Sequence, residues 1–187
     1  MVAPALAGPD FTTPDRSRPF AVQDVRGAQL PAEEIEFRYD SHGLLPAAQQ
    51  QLAAVATWMN HHPDVRLVLE GHADSAGPAP YNEGLATRRV ELARNHLVAL
   101  GVDSDRIVLA VYGENRARRD PSRRDRRVVM FASSAPMGRL VAAELRADAI
   151  EVSWTRAGSV YRQTSGITPV AATVPSTQNR NPGPRGG

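Results

Sequence analysis

The stretch VRLVLEGHADSAGPAPYNEGLATRRV, residues 65–90, decides the fold. Its first six residues form a mostly apolar run that predicts a strand, and the glycine- and proline-rich segment 71–78 predicts a loop. Apolar residues then recur at spacings of four and three, which predicts a helix over about 82–100 that ends at Gly101. The positions of this apolar stripe are Ala86, Val90, Ala93, Leu97 and Leu100.

The same kind of pattern extends in both directions. Upstream, strict alternation over 34–40 predicts a strand, and a second stripe after Pro46 predicts a helix that stops near residues 61–63; its members are Ala48, Leu52, Val55 and Met59. Downstream, residues 106–112 and 128–132 read as two more strands. The order β-α-β-α-β-β predicts an α+β fold over residues 33–132, a two-layer sandwich of a small mixed sheet with two helices on one face.

Three further segments flank this predicted domain. Residues 133–165 form an extension in which we expect a short helix near 138–147 and a hairpin near 150–162. Residues 166–187 predict a disordered tail, because Pro, Ser, Asn and Gly dominate there. Residues 1–32 predict an extended leader or linker, and Ala5-Leu6-Ala7 resembles a signal-peptidase site. We expect either cleavage after Ala7 of a chain that starts further upstream, or a tail of arbitrary sequence.

The composition excludes several classes of protein. All 22 cationic residues are arginine, and against 20 acidic residues they leave a net charge of only +2, so a polycationic nucleic-acid binder is not predicted. This sequence has no cysteine, so we expect no disulfide, no thiol catalysis and no N-terminal cysteine anchor. No apolar run reaches the roughly 18–20 residues of a membrane-spanning helix. The five histidines lack metal-ligand spacing, and we find no nucleophile elbow or phosphate loop, so we expect no metal, no cofactor and no enzyme activity.

A carboxylate and a guanidinium carry the most informative chemistry. Asp74 lies in the loop after the central strand, and Arg89 lies on the next helix beside its apolar stripe, where the head group can reach back toward that loop. Such a pair can hold a zwitterion, because the carboxylate accepts from an ammonium and the guanidinium donates to a carboxylate. Spacing alone leaves a second interpretation open, in which Asp74 caps the turn and Arg89 forms a surface salt bridge.

These residues also carry a resemblance to a known family. Gly71, His72, Asp74, Gly77, Tyr81, Asn82, Leu85 and Arg89 match, without a gap, the pattern G-H-T-D-x-x-G-x-x-x-Y-N-x-x-L-S-x-x-R-A of the OmpA-like peptidoglycan-binding family. Further matches lie at Phe37 to Ser41, Leu45-Pro46, Gly101-Val102, Arg106-Ile107, Tyr112 to Glu114 and Arg126 to Val128. The resemblance covers about a hundred residues in the correct order. Ala73 and Ala86 depart from it by lacking a hydroxyl, which predicts a modestly weaker site.

The resemblance implies the function and its residues. Asp74 and Arg89 correspond to the pair that binds the diaminopimelate of the peptidoglycan stem peptide, and the neighbours expected to line or brace the pocket are Asp40, Ser41, Asn82, Leu85 and Arg127. We therefore expect non-covalent anchoring of an envelope component to the wall, in the periplasm of a Gram-negative bacterium, at the outer membrane or wall.

An alternative from another class is a structural subunit of a larger envelope assembly, such as a motor, secretion or surface complex. Its protein contacts would involve residues 8–32 or 134–187, where Trp154, Val160 and Tyr161 suit a partner surface. The run from Arg116 to Arg127, with seven arginines, predicts a solvated loop that could also meet anionic wall polymer or lipid head groups.

Overall fold

The computed structural model describes residues 29–165 and, for the backbone alone, residues 170–172. The helices are α1 (Pro46–His61), α2 (Ala79–Ala99) and α3 (Met137–Arg146). The strands are β1 (Glu34–Glu36), β2 (Arg66–His72), β3 (Ile107–Gly113), β4 (Arg127–Ser133), β5 (Glu151–Arg156), β6 (Ser159–Thr164) and β7 (Val170–Ala172). Within the described residues, no helix is both long and apolar enough to cross a membrane.

All seven strands belong to one mixed sheet in the order β1-β4-β2-β3-β5-β6-β7. The β2–β3 pair is parallel, and every other neighbouring pair is antiparallel. The parallel pair needs a crossover, which α2 supplies on its way from β2 to β3. The predicted α+β class and the order β-α-β-α-β-β are therefore confirmed.

Helices α1 and α2 cover one face of the sheet. The predicted stripes are buried there: Leu52, Val55 and Met59 of α1 are inaccessible to solvent, as are Val90 and Leu97 of α2. They pack on the side chains of β2, β3 and β4 that alternate onto this face. Each such side chain contributes about 1.5–3 kcal/mol on burial, so this layer supplies most of the stability. Leu100 is an exception, because α2 ends at Ala99 and leaves it exposed beside Gly101, which has a φ of 91°.

The opposite face of the sheet carries a smaller apolar cluster under α3. Leu140 and Val141 of α3 pack on Val68, Val108 and other residues of this face. The two-layer arrangement predicted for residues 33–132 thus gains a partial third layer from the extension. The predicted hairpin is β5–β6, and β5 pairs with β3, so the hairpin continues the sheet.

The first strand is shorter than the alternation over 34–40 predicts. β1 ends at Glu36, and Asp40 adopts a φ of 50° in the turn that follows. The chain leaves the sheet here because the carbonyl oxygens of Arg38 and Ser41 accept hydrogen bonds from the Arg89 side chain. The alternation of apolar and polar residues indicates only which side chains are buried. It cannot show that these carbonyl oxygens accept hydrogen bonds from an arginine side chain.

The predicted tails fall mostly outside the described residues. This holds for residues 1–28 of the leader and for most of the predicted tail 166–187. Leu30 and Ala32 at the end of the leader pack on the core below α1. Residues 170–172, which the sequence predicts to be part of a disordered tail, form β7 instead. This short strand pairs with β6, whose backbone hydrogen-bonding groups on that edge would otherwise have no partner strand.

Candidate functional site

The candidate site begins where β2 ends. Asp74 lies two residues beyond this strand, and only 4% of its surface is exposed to solvent. The N–H of Ala73 donates to the carbonyl of Gly113 at 2.8 Å, so the loop is fixed to the end of β3. Gly71 allows α2 to approach closely, since a Cβ there would lie 2.6 Å from Cγ1 of Val90 and 2.7 Å from the carbonyl oxygen of Ala86. This close approach brings the start of α2 beside the Asp74 loop.

The carboxylate of Asp74 forms an ion pair with Arg126. Nη1 of Arg126 donates to Oδ2 of Asp74 at 2.9 Å, and both side chains are largely buried. The guanidinium carbon of Arg126 also lies 5.8 Å from the ring centre of Tyr39. A charged hydrogen bond of this kind is short and strong, so Asp74 is held in one orientation.

Arg89 is fully buried and binds three carbonyl oxygens. Nε donates to Ser41 at 3.0 Å, Nη1 to His72 at 2.9 Å and Nη2 to Arg38 at 3.3 Å. Its guanidinium carbon lies 5.2 Å from the ring centre of Phe37. The side chain therefore joins the segment after β1 to the end of β2, and it uses three of the five N–H groups of a guanidinium to do so.

Burial lowers the pKa of Arg89 to about 10. The negative charge of Asp74 opposes this effect, the positive charge of Arg126 adds to it, and Asp40 again opposes it. Arg89 stays protonated at neutral pH, because that pKa lies well above 7. The structure thus places Asp74 and Arg89 within electrostatic reach, but the direct ion pair of Asp74 is with Arg126. The site contains one carboxylate between two guanidiniums.

Four other predicted residues surround this centre. Asp40 is exposed and accepts a hydrogen bond from the hydroxyl of Tyr81, which raises the pKa of that phenol. The backbone of Ser41 binds Arg89, and its Oγ accepts from the N–H of Gly43 at 3.1 Å. These contacts stabilise the turn that faces the start of α2.

Asn82 and Leu85 lie on the first turns of α2. Both are buried, and Nδ2 of Asn82 donates to Oε2 of Glu114 at 2.5 Å and to the carbonyl of Gly77 at 3.5 Å. Asn82 therefore braces the loop that carries Asp74 rather than presenting its amide to solvent.

Arg127 is not part of this group. Its Nε lies 3.7 Å from Oε2 of Glu34, and its Nη1 donates to the carbonyl of Arg124 at 2.6 Å. The residue that sequence reasoning missed is Arg126, its neighbour. The signal was present, because Val128 and Met130 are buried under the helices and alternation puts Arg126 on their side of β4 and Arg127 on the other.

The histidines form structural contacts. The ring of His72 stacks on Tyr112 with a centroid distance of 5.2 Å, and its carbonyl accepts from Arg89. Nδ1 of His61 and Nδ1 of His62 lie 2.8 and 2.7 Å from carbonyl oxygens one turn earlier in α1. Among the residues that the structure describes, no group of three histidine or acidic side chains is arranged to hold a metal ion.

Known proteins share both the sequence and the fold of this region. A model of the OmpA family matches residues 36–129. A peptidoglycan-associated lipoprotein of Mesorhizobium japonicum is 36% identical over 111 residues, which cover 59% of this chain and 62% of the relative. The protein of the same name from Agrobacterium fabrum is 32% identical over 111 residues, 59% of each chain. The chain thus spans about three fifths of the length of the curated relatives it matches.

A solved structure extends the likeness to the fold. The peptidoglycan-associated lipoprotein from Burkholderia pseudomallei superposes with a TM-score of 0.53 at 22% identity, and the match covers 59% of this chain and 98% of that one. The family match over residues 36–129 includes the loop that carries Asp74 and the helix that carries Arg89.

Proposed function

We propose, starting from the fact that this chain belongs to the OmpA family, that residues 33–132 bind peptidoglycan without a covalent bond and anchor an envelope component to the wall. The ligand is the diaminopimelate of the stem peptide, whose free end carries an ammonium and a carboxylate on one carbon. Binding leaves the peptide intact, so the protein acts as an anchor and not as an enzyme. The names of the relatives, peptidoglycan-associated lipoproteins, support peptidoglycan as the polymer that is bound.

The observation that carries the proposal is one buried carboxylate, Asp74, which is paired with Arg126 and lies close enough to Arg89 for their charges to interact. The ammonium of the ligand contacts Asp74 and the exposed Asp40 at the rim. The carboxylate of the ligand contacts Arg126, which is partly exposed, and is attracted by the positive charge of Arg89, whose guanidinium is buried. Because these charges lie in a largely buried loop region, water screens them less than it screens surface charges.

Rigidity of the site supports binding as well. Arg89 joins the segment after β1 to the end of β2, Asn82 braces the Asp74 loop, and Ala73 is fixed to β3. A ligand therefore meets side chains that are already positioned and loses less affinity to ordering of the protein. Ala73 and Ala86 add no hydroxyl to this surface, and both are fully buried.

The compartment follows from the ligand. Peptidoglycan lies outside the inner membrane, so we place the protein in the periplasm of a Gram-negative cell, beside the wall or the outer membrane. A role for the flanks in protein contacts stays a prediction; Trp154 and Tyr161 are half-buried and stack on each other at 5.6 Å.

Co-sedimentation with purified sacculi tests the proposal. We expect Asp74→Asn to abolish retention in the pellet, because the amide cannot balance an ammonium. The matched control is Asp64→Asn, which removes an exposed carboxylate just before β2, at the opposite end of that strand. Asp64→Asn should sediment like the unmodified protein. Full retention of Asp74→Asn would show that the site does not bind the wall.

A further inference from the structure

The loop between β3 and β4, residues 114–126, presents arginines that the proposed diaminopimelate site does not use. We call it the arginine loop. Arg126 binds Asp74, Arg123 binds Glu36 at 2.7 Å, and Arg116 lies 3.7 Å from Glu70. The other guanidinium groups of the loop form no ion pair with any described residue, and they belong to Arg118, Arg119 and Arg124, all exposed.

The arginine loop is held firmly against the candidate site. The buried carboxylate of Asp125 accepts from the backbone N–H of Arg118 at 3.1 Å. The hydroxyl of Ser75, the residue after Asp74, donates to the carbonyl of Arg118 at 3.1 Å. These contacts fix the backbone of the loop against the residue that follows Asp74, so the exposed arginines extend from a segment with a defined position.

The charge of the loop surface favours an anion. Its acidic residues after Glu114 are Asp120 and Asp125, and only Asp120 is exposed. Three unpaired guanidinium groups on a short, fixed segment repel one another, and an anionic ligand relieves that repulsion. The planar fork of a guanidinium matches the geometry of a carboxylate and donates two parallel hydrogen bonds to it.

We propose that the arginine loop is a second subsite, which binds carboxylates of the stem peptide next to the diaminopimelate held at Asp74. This inference rests on the proposed function. The contact of Ser75 with the loop makes one continuous surface, so an anion bound by Arg119 or Arg124 belongs to the same ligand molecule. The loop sets the preference of the site for stem peptides whose neighbouring carboxylates are free and not amidated.

Titration calorimetry with two synthetic stem tetrapeptides tests the subsite. Both keep the free amino-acid end of diaminopimelate, and in one of them the other carboxylates are amidated. We expect Arg119→Gln/Arg124→Gln to weaken binding of the free-acid peptide about three- to tenfold at low ionic strength, because two exposed charge contacts are lost. The loss should shrink in high salt, and binding of the amidated peptide should not change.

The matched control is Arg139→Gln/Arg146→Gln. It removes the same charge from exposed positions of α3, on the opposite face of the sheet. The proposal fails if the control loses as much affinity as the loop variant, if the loop variant binds the free-acid peptide normally, or if it loses both peptides equally. Unchanged peptide binding with lost binding to anionic phospholipid vesicles would overturn it in favour of a lipid surface.

Asp74→Asn separates this inference from the proposed function. If Asp74→Asn binds either peptide normally, the proposed function itself is wrong. If Asp74→Asn abolishes binding while the loop variant binds normally, the function stands and only the second subsite fails.

Discussion

The carboxylate of Asp74 is paired with Arg126 at 2.9 Å, across the gap between the loop after β2 and the start of β4. This ion pair is internal to the protein and forms without a ligand. It keeps a carboxylate that is 4% exposed from lying alone in a region of low dielectric. A ligand ammonium therefore shares Asp74 with Arg126, and the affinity of the site depends on how tightly that pair is held.

A double-mutant cycle measures this pair. We expect Asp74→Asn and Arg126→Gln each to lower the free energy of unfolding. The double variant should lose less than the sum of the two by about 1.5–3 kcal/mol, the range for hydrogen bonds to charged groups. Urea denaturation of the four proteins gives the coupling energy. Additive losses would show that the two side chains do not interact in solution.

Arg89 has a structural role besides any role in binding. Arg89→Ala leaves the carbonyl oxygens of Arg38, Ser41 and His72 without their donor, and we expect the free energy of unfolding to fall by about 3 kcal/mol or more. The control is Arg88→Ala on the same helix, exposed and without an ion pair among the described residues, for which we expect a change below about 0.5 kcal/mol. Equal losses in the two variants, measured by urea denaturation, would contradict this role.

The sequence predicted the helix layer well because its information is local. Spacings of three and four identify the buried faces of α1 and α2, and each of those side chains except Leu100 packs where its spacing puts it. The position of Asp74 could likewise be predicted from the sequence, since a polar residue between a strand and the helix that follows it lies at the end of the sheet.

Other features depend on contacts between distant segments. Arg89 was predicted beside the stripe, with its head group reaching toward the Asp74 loop. It is fully buried, because carbonyl oxygens about fifty residues earlier in the chain accept its hydrogen bonds. Arg127 was predicted at the site in place of Arg126, although alternation continued back from β4 puts Arg126 on the side of the buried Val128 and Met130. The pairing of β5 with β3 could not be predicted from the sequence, because a hairpin pattern does not indicate which other strand the hairpin pairs with.

Because β2 and α2 pack closely at Gly71, we expect a larger side chain at this position to destabilise the protein. A methyl group there would lie 2.6 Å from Val90 and 2.7 Å from backbone of Ala86, so Gly71→Ala must push α2 away from the sheet. We expect it to lower the free energy of unfolding by about 1–3 kcal/mol or more, the cost of overpacking a core.

Gly138 in the first turn of α3 is the control for Gly71. A Cβ at this position meets no atom within 4 Å, so Gly138→Ala should be neutral or stabilise the protein by up to about 1 kcal/mol through helix propensity. Thermal or urea unfolding of both variants compares them directly. A Gly71→Ala protein as stable as the unmodified one would mean that α2 does not approach β2 so closely.

A buried carboxyl group on α3 predicts how stability depends on pH. Burial and, after it, the charge of Glu70 raise the pKa of Glu144. The Tyr112 hydroxyl, 2.7 Å from Oε2, and Arg116 oppose the rise, and the resulting pKa is about 8. Oε1 of Glu70 and Oε1 of Glu144 are both buried with no other donor, so a proton held between them satisfies both oxygens. At neutral pH the folded protein therefore keeps a proton on Glu144 that the unfolded chain has released.

The sign of the effect follows from that proton. The folded pKa lies above the unfolded value of 4.5, so this group's contribution to stability is fully present below about 4.5 and is lost as pH rises to about 8. Glu144→Gln holds the same hydrogen-bond position without titrating. We expect the unfolding free energy of Glu144→Gln, minus that of the unmodified protein, to increase between these pH values and then level off. Urea denaturation of both proteins from pH 4 to pH 9 measures this difference, from which the contributions of titrating groups common to both proteins cancel. A difference that does not change with pH would show that Glu144 is ionised in the folded protein.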